Sequence, residues 1–169
     1  MNYHNIKHDD QTNGDGIRVT LFVSGCGHHC PECQNSQTWN PESGIPFDNE
    51  AVKEIYLELT KDYVSGITLS GGDPLYPNNR TSVSALCRWV KRIFPHKTVW
   101  LYTGYTFEEL IDMRNFACGD ILLYVDVLVD GKYEKDLRDL SLPWRGSKNQ
   151  RVIDVKKTLT EGKIVLHCE

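Results

Sequence analysis

A repeated order of strand, polar loop and helix is the feature that most restricts what this chain can fold into. Four segments with the composition of buried strands alternate with three segments of helical spacing or capping. The strand segments are residues 18–23, 66–70, 98–102 and 122–129, and the helical segments are 48–61, 82–94 and a stretch that opens at 106–109. This alternation predicts an α/β fold with a mostly parallel sheet and flanking helices. Because 169 residues are few for a closed barrel of eight strands, we expect an open partial (βα) barrel.

Three loops of unusual composition each follow one of these predicted strands. A cysteine-rich loop covers residues 25–35, a glycine-rich loop covers 70–74, and a Thr-Gly-Tyr sequence covers 103–105. Right-handed crossovers place the carboxyl ends of parallel strands along one rim of a sheet. The three loops should therefore meet at that rim, where α/β barrels carry their chemistry.

The cysteine loop contains the spacing C-x3-C-x2-C, formed by Cys26, Cys30 and Cys33. A [4Fe–4S] cluster is usually held by four thiolates, so three in one loop would leave one iron open to a small molecule. Zinc is the main alternative, with His28 or His29 as the fourth ligand of a tetrahedron. A purely structural role for the thiols is the third alternative.

The two glycine-containing loops each have two interpretations. Gly71 and Gly72, which precede Asp73, let the main chain approach a ligand closely, so that its freed groups could bind an amino or carboxylate group. A plain tight turn explains the same residues. Thr103 could contact a ribose or a carboxylate, but a strand-to-helix turn explains it equally well. The turn at 13–18 is predicted to lie under the cysteine loop or to face a partner, and a plain surface turn explains it equally well.

Composition narrows the class of protein. The net charge is −4, which leaves no basic pattern for direct binding to nucleic acid. The polar start at 1–5 lacks the apolar core of a signal peptide, and no apolar run approaches the length of a membrane span. We therefore expect a cytoplasmic protein with no membrane partner, in which reduced cysteines point to metal binding or catalysis. The scattered Cys87, Cys118 and Cys168 are interpreted as core or surface thiols.

Four segments carry a resemblance to a known family. They are 20–26 (TLFVSGC), 69–75 (LSGGDPL), 127–132 (VLVDGK) and 144–151 (WRGSKNQR). Together they resemble radical S-adenosylmethionine (radical SAM) enzymes and, more closely, the activases of anaerobic (class III) ribonucleoside-triphosphate reductases. The resemblance implies a single radical SAM domain at 1–155, folded as an open partial barrel of that family's type, and leaves a tail at 156–169 with no assigned role.

The resemblance also implies a site. Cys26, Cys30 and Cys33 would bind three irons of a [4Fe–4S] cluster, and S-adenosylmethionine would bind the fourth. The residues expected to line this ligand are Glu32, Cys33, Gln34, Gly71, Gly72, Asp73 and Thr103. No side chain is expected to act as a general acid or base, because the radical chemistry belongs to the cofactors. Gln34 stands where many relatives have an aromatic residue, and Asp15 where these activases usually have proline.

The implied function is the activation of a partner enzyme. Reductive cleavage of S-adenosylmethionine, driven by an external one-electron reductant, would yield a 5′-deoxyadenosyl radical that creates a glycyl radical on the large catalytic subunit of the reductase. A homodimer is also expected by analogy with the family. An activase for another glycyl-radical enzyme, of the pyruvate formate-lyase type, is the close alternative. A zinc-binding interaction module and a simple electron-transfer protein are alternatives from other classes.

Overall fold

The structure, a computed structural model, describes residues 1–112 and 120–168 of the chain. Within these ranges the strands are β1 Asn2–Asp10, β2 Ile17–Val23, β3 Ile45–Pro46, β4 Val64–Gly71, β5 Thr98–Tyr102, β6 Val127–Asp130 and β7 Arg151–Asp154. The helices there are α1 Asn49–Leu59, α2 Arg80–Ile93, α3 Phe107–Asp112 and α4 Val155–Glu161. Cys118, predicted to be a core or surface thiol, lies outside the described residues.

The strands form one mixed sheet in the order β3-β1-β2-β4-β5-β6-β7. The four central strands, β2, β4, β5 and β6, pair in parallel, whereas β1 and β7 run antiparallel to their neighbours on the two flanks. The predicted α/β class with a mostly parallel sheet is confirmed. The carboxyl ends of the four central strands therefore lie along one rim, as the order of the loops required.

One face of the sheet packs under the helices and forms the main core. Alternate residues of β2 point to this face, and Val19, Leu21 and Val23 are all fully buried there. Ile55 of α1 and Val90 of α2 cover them, together with other apolar residues of both helices. Each fully buried aliphatic side chain contributes about 1.5–3 kcal/mol, so this layer fixes the positions of the central strands.

Local sequence signals gave several element boundaries correctly. Strand β5 has the predicted bounds, and Asp48 caps α1 by accepting hydrogen bonds from the backbone N–H groups of Glu50 and Ala51. The capping box before α3 is also confirmed, since Thr106 N donates to Glu109 Oε2 over 2.7 Å and Glu109 N donates back to Thr106 Oγ1 over 3.3 Å.

Other elements differ from the prediction. The apolar run 122–129 is not one strand, because residues 121–123 form a short 3-10 turn and β6 begins only at Val127. An apolar run does not by itself distinguish a buried turn from a strand. Strand β1 was not predicted, because most of its side chains are polar and exposed and only Tyr3, Ile6 and Asp10 are buried.

The second face of the sheet is more polar and carries a smaller aromatic cluster. Trp100 packs edge-to-face against Trp144 and His167, with ring centroids 5.1 and 5.2 Å away. His167 reaches this face because residues 165–167 return along β7, where His167 N donates to Val152 O over 2.8 Å. In the described part of the chain, no helix is both long and apolar enough to cross a membrane.

Candidate functional site

The cysteine loop leaves β2 at the rim and is held by main-chain hydrogen bonds. Gly25 N donates to Thr38 O over 2.7 Å, and Cys26 N donates to Trp39 O over 3.1 Å. Within the loop, Cys33 N donates to Cys30 O over 3.1 Å, which closes a turn around the second and third cysteines. The structure therefore places Cys26, Cys30 and Cys33 in one anchored loop, each partly buried.

The donor chemistry of this loop fits an iron–sulfur cluster. Soft thiolate ligands select iron–sulfur clusters, zinc or copper(I). Burial raises the pKa of the Cys26 and Cys30 thiols, so metal binding must displace their protons. Among the described residues, no three His, Cys, Asp or Glu side chains already converge in a geometry that would hold a metal ion. The fit thus rests on the kind of donor and on the shared loop.

The glycine loop lies directly against the start of the cysteine loop. Gly72 N donates to Val23 O over 2.8 Å, and Asp73 N donates to Gly25 O over 2.7 Å. Gly71 has φ +102, and a Cβ there would lie 2.7 Å from the main-chain nitrogen of Val23. Only glycine fits such a close approach of two main chains in this conformation. The paired glycines thus join the two loops.

Asp73 is the centre of what we call the loop junction, where loops 24–28, 71–75 and 103–105 meet. Its buried carboxylate accepts hydrogen bonds from Thr103 Oγ1 and Gly104 N, each over 3.0 Å, and from Leu75 N over 2.7 Å. His28 Nε2 of the cysteine loop donates to it over 2.8 Å. One carboxylate therefore holds all three predicted rim loops together, because donors from each of them surround it.

A cavity of about 440 Å³, here called the rim cavity, opens beside the cysteine loop. Cys33 and Gln34 line it from that loop, and Ser70 and Tyr102 line it from the ends of β4 and β5. The segment 140–146 also contributes to the lining, through residues that include Arg145. Its volume lies within the range of about 300–1,000 Å³ that is common for small-molecule sites.

The predicted ligand-lining residues divide into three groups. Cys33 and Gln34 line the rim cavity. Gly71, Gly72, Asp73 and Thr103 belong to the loop junction. Glu32 is exposed, has a left-handed backbone conformation with φ +57, and forms an ion pair with Lys135.

Sequence reasoning missed two residues of the loop junction. His28, named above only as a possible zinc ligand, has a side chain that is only 10% exposed and packs edge-to-face on Tyr105 with ring centroids 4.6 Å apart. Asn79 is buried before α2, where its amide donates to Ser24 O over 2.8 Å and to Asp73 O over 3.0 Å. The one available signal was an asparagine at a helix start, which ordinarily indicates a cap.

The two histidines bear on the zinc alternative. His28 already donates to Asp73, and the ring of exposed His29 packs at a tilt against Trp39 with ring centroids 4.8 Å apart. Both rings therefore have partners other than the cysteines, and their geometry does not favour a tetrahedral zinc site.

Comparison with known proteins identifies the class. Residues 12–153 match the model of a family described as "4Fe-4S single cluster domain". The match spans the cysteine loop, the loop junction and the rim cavity.

Curated relatives narrow this class. The anaerobic ribonucleoside-triphosphate reductase-activating protein of Enterobacteria phage T4 is 51% identical over 152 residues, which cover 90% of this chain and 93% of that protein. The proteins of the same name from Salmonella typhi and Escherichia coli (strain K12) are 46% and 45% identical over 154 residues, which cover 90% of this chain and 97% of each relative. The chain therefore belongs to the 4Fe–4S single cluster domain family, in the branch of these activating proteins.

Proposed function

We propose that this chain is the activase of an anaerobic ribonucleoside-triphosphate reductase. The observation that carries the proposal is the direct contact between the cysteine loop and the glycine loop at the carboxyl ends of parallel strands, beside the rim cavity. High identity to proteins named as activating proteins of that reductase supports the choice of partner.

In this proposal Cys26, Cys30 and Cys33 hold a [4Fe–4S] cluster, and S-adenosylmethionine binds next to it. Once bound and reduced, such a cluster would supply the one electron needed to cleave S-adenosylmethionine at its sulfonium into methionine and a 5′-deoxyadenosyl radical. Cys33 and Gln34 face the rim cavity, where the ligand would be contacted. No general acid or base is required of the protein.

The chain's own residues position the ligands and exclude water. The main chain of Gly71 and Gly72 would face the methionine part, because the glycines have no side chains to cover it. The Asp73 carboxylate is already surrounded by donors from the loops, so we assign it the task of holding those loops in register. Thr103 acts with it, through its hydroxyl.

The wider setting follows from the same proposal. We infer an open partial barrel of the radical SAM type, a single domain at 1–155, a cytoplasmic location, and a partner in the large catalytic subunit of the reductase. An external one-electron reductant must donate the electron to the cluster. A homodimer is proposed by family analogy alone.

Anaerobic reconstitution tests the function. Reconstituted protein with dithionite and S-adenosylmethionine should release 5′-deoxyadenosine and, with the reductase, give a glycyl-radical EPR signal. Cys33→Ala should abolish both, whereas Cys87→Ala, which changes a buried thiol of the helical core, should preserve both. Stoichiometric, oxygen-stable zinc in place of iron would overturn the proposal. A glycyl radical formed on pyruvate formate-lyase but not on the reductase would show that the chain activates the alternative partner.

A further inference from the structure

The segment 131–150 contains the end of one of the family-like segments, 127–132, and most of another, 144–151, yet the cluster and S-adenosylmethionine leave most of it unexplained. The Gln150 side chain ties this segment together. Gln150 Oε1 accepts from Gly146 N over 3.0 Å and from Ser147 N over 3.2 Å, and Gln150 Nε2 donates to Gly131 O over 3.0 Å. Side-chain hydrogen bonds therefore hold this segment in place where it lines the rim cavity.

Arg145 is the only formally charged residue among the described residues that line the rim cavity. In the described part of the chain its guanidinium forms no ion pair, and its one hydrogen bond is a long one of 3.3 Å from Nη1 to Gln150 O. Its Nε is buried and has no partner. Such a donor is costly to bury unsatisfied, and the planar guanidinium matches a carboxylate in shape and charge.

The backbone before Arg145 is strained in a way that fixes its position. Trp144 has φ +55, a left-handed conformation that is rare for a bulky residue. Its indole is held by edge-to-face packing on Trp100, 5.1 Å away. Strain of this kind persists only where the surroundings enforce it, and it clusters at functional positions.

Two leucines line the same cavity as Arg145. Leu140 is 75% exposed, the largest value among the large apolar side chains of the described residues, and Leu142 lines the rim cavity with it. An exposed leucine is ordinary when isolated. Here it shares a cavity with a cation that has no ion-pair partner among the described residues, which is the pattern of an interaction site.

We propose that Leu140, Leu142 and Arg145 form a docking surface for a segment of the reductase large subunit that presents an apolar side chain and a carboxylate. The identity of this partner rests on the proposed function. Charge complementarity supports the carboxylate, because the described residues that line the cavity include one cation without an ion-pair partner and no carboxylate. Continuity with the rim cavity supports the place, because Cys33 lines the same cavity as Leu140, Leu142 and Arg145.

The test measures the affinity of the reconstituted protein for the reductase large subunit under anaerobic conditions. Arg145→Gln should raise the Kd by about tenfold or more, since arginine is enriched among the residues that dominate such surfaces. Leu140→Ser should raise it by about tenfold, since the partner would bury an apolar side chain that is now exposed. Arg145→Lys should recover only part of the affinity, because an ammonium lacks the guanidinium fork. The matched controls, Leu57→Ser on α1 and Arg92→Gln on α2, should leave the Kd unchanged, because both residues are exposed and neither lines the rim cavity.

Two further measurements on the same variants separate the possible results. Equilibrium binding of S-adenosylmethionine is measured without the reductase: a loss in Arg145→Gln with unchanged reductase affinity would assign Arg145 to the cofactor and overturn the docking surface. Self-association is measured by sedimentation: a change in Leu140→Ser with unchanged reductase affinity would overturn it in favour of a second copy. If the wild type releases no 5′-deoxyadenosine, the proposed function fails, while the Kd series still decides the docking surface.

Discussion

Two buried charged residues, Asp73 and Arg18, lie at opposite ends of the same sheet and have different roles. At the rim, the Asp73 carboxylate accepts from four donors that belong to three loops. At the amino ends of the strands, the Arg18 guanidinium donates to the hydroxyls of Thr68 and Thr98 and to the carbonyls of Ile67, Thr98 and Asp15. Among the described residues Arg18 has no ion-pair partner and Asp73 has only His28, so each depends largely on neutral groups arranged around it.

The difference lies in what each charge connects. Arg18 is fully buried, and its partners in β4 and β5 are already aligned by the hydrogen bonds that pair β2 with β4 and β4 with β5. Burial lowers its pKa to about 10, so it stays cationic at neutral pH. Asp73 instead connects loops that no ladder aligns. We expect the amino end of the sheet to determine stability and the rim to determine whether the ligand site is assembled.

The largest stability effect should come from Arg18→Met. The change leaves several acceptors at the amino ends of β4 and β5 without a donor, and it should lower the free energy of unfolding by about 3–4 kcal/mol. Urea denaturation followed by circular dichroism, on anaerobically prepared protein, measures this. The fraction that remains folded should still bind S-adenosylmethionine.

The matched variant is Arg18→Lys, which keeps the charge but serves fewer acceptors, and it should lose a smaller part of the stability. A loss below about 1 kcal/mol for Arg18→Met would contradict the assignment of the amino end to stability, because it would mean that these hydrogen bonds merely replace bonds to water.

The next effect should come from Asp73→Asn at the rim. The amide keeps one acceptor oxygen but places an NH₂ group toward donors such as Gly104 N and His28, so stability should fall by about 2 kcal/mol. The larger consequence should be functional, with weakened binding of S-adenosylmethionine and little release of 5′-deoxyadenosine. Equilibrium binding together with the cleavage assay measures this; iron content reports separately on the cluster.

An equal loss of stability in Asp73→Asn and Arg18→Met, with ligand affinity lost in both, would remove the contrast between the two ends. The contrast would also fail if Asp73→Asn bound S-adenosylmethionine normally, because the loops would then hold their register without the carboxylate.

The same contrast explains how much could be predicted from the sequence. The strand at 98–102 and the cap at Asp48 were predicted because periodicity and capping depend on neighbouring residues. The meeting of the rim loops was also predicted, since it follows from the topology of parallel strands. The bond between His28 and Asp73 was not, because these residues are 45 positions apart and only the folded sheet brings them together.

The polar partners of Arg18 illustrate a second limit. An arginine inside a strand pattern is ordinarily an exposed residue, and nothing in the segment 18–23 indicates that its side chain is fully buried. Its burial depends on acceptors from β4 and β5, which are far along the chain. Sequence patterns thus predict buried charges poorly. Yet the buried charges are the residues that distinguish the two ends of the sheet.

The smallest loss of stability, and the one most confined to the ligand site, should come from Gly104→Ala. A Cβ at this position would lie 2.3 Å from Cδ2 of the His28 ring, so the ring must move away from Asp73. The expected cost is about 1 kcal/mol, the lower end for overpacking, because a side chain and not the main chain gives way. The affinity for S-adenosylmethionine, measured by equilibrium binding, should fall more than the stability, measured by urea titration.

Gly27→Ala in the cysteine loop is the control, because its Cβ would meet only a Tyr76 ring carbon at 3.9 Å, an ordinary contact. If both alanines behave alike, His28 does not tie the cysteine loop to the junction, and the rim depends on Asp73 and the main chain alone.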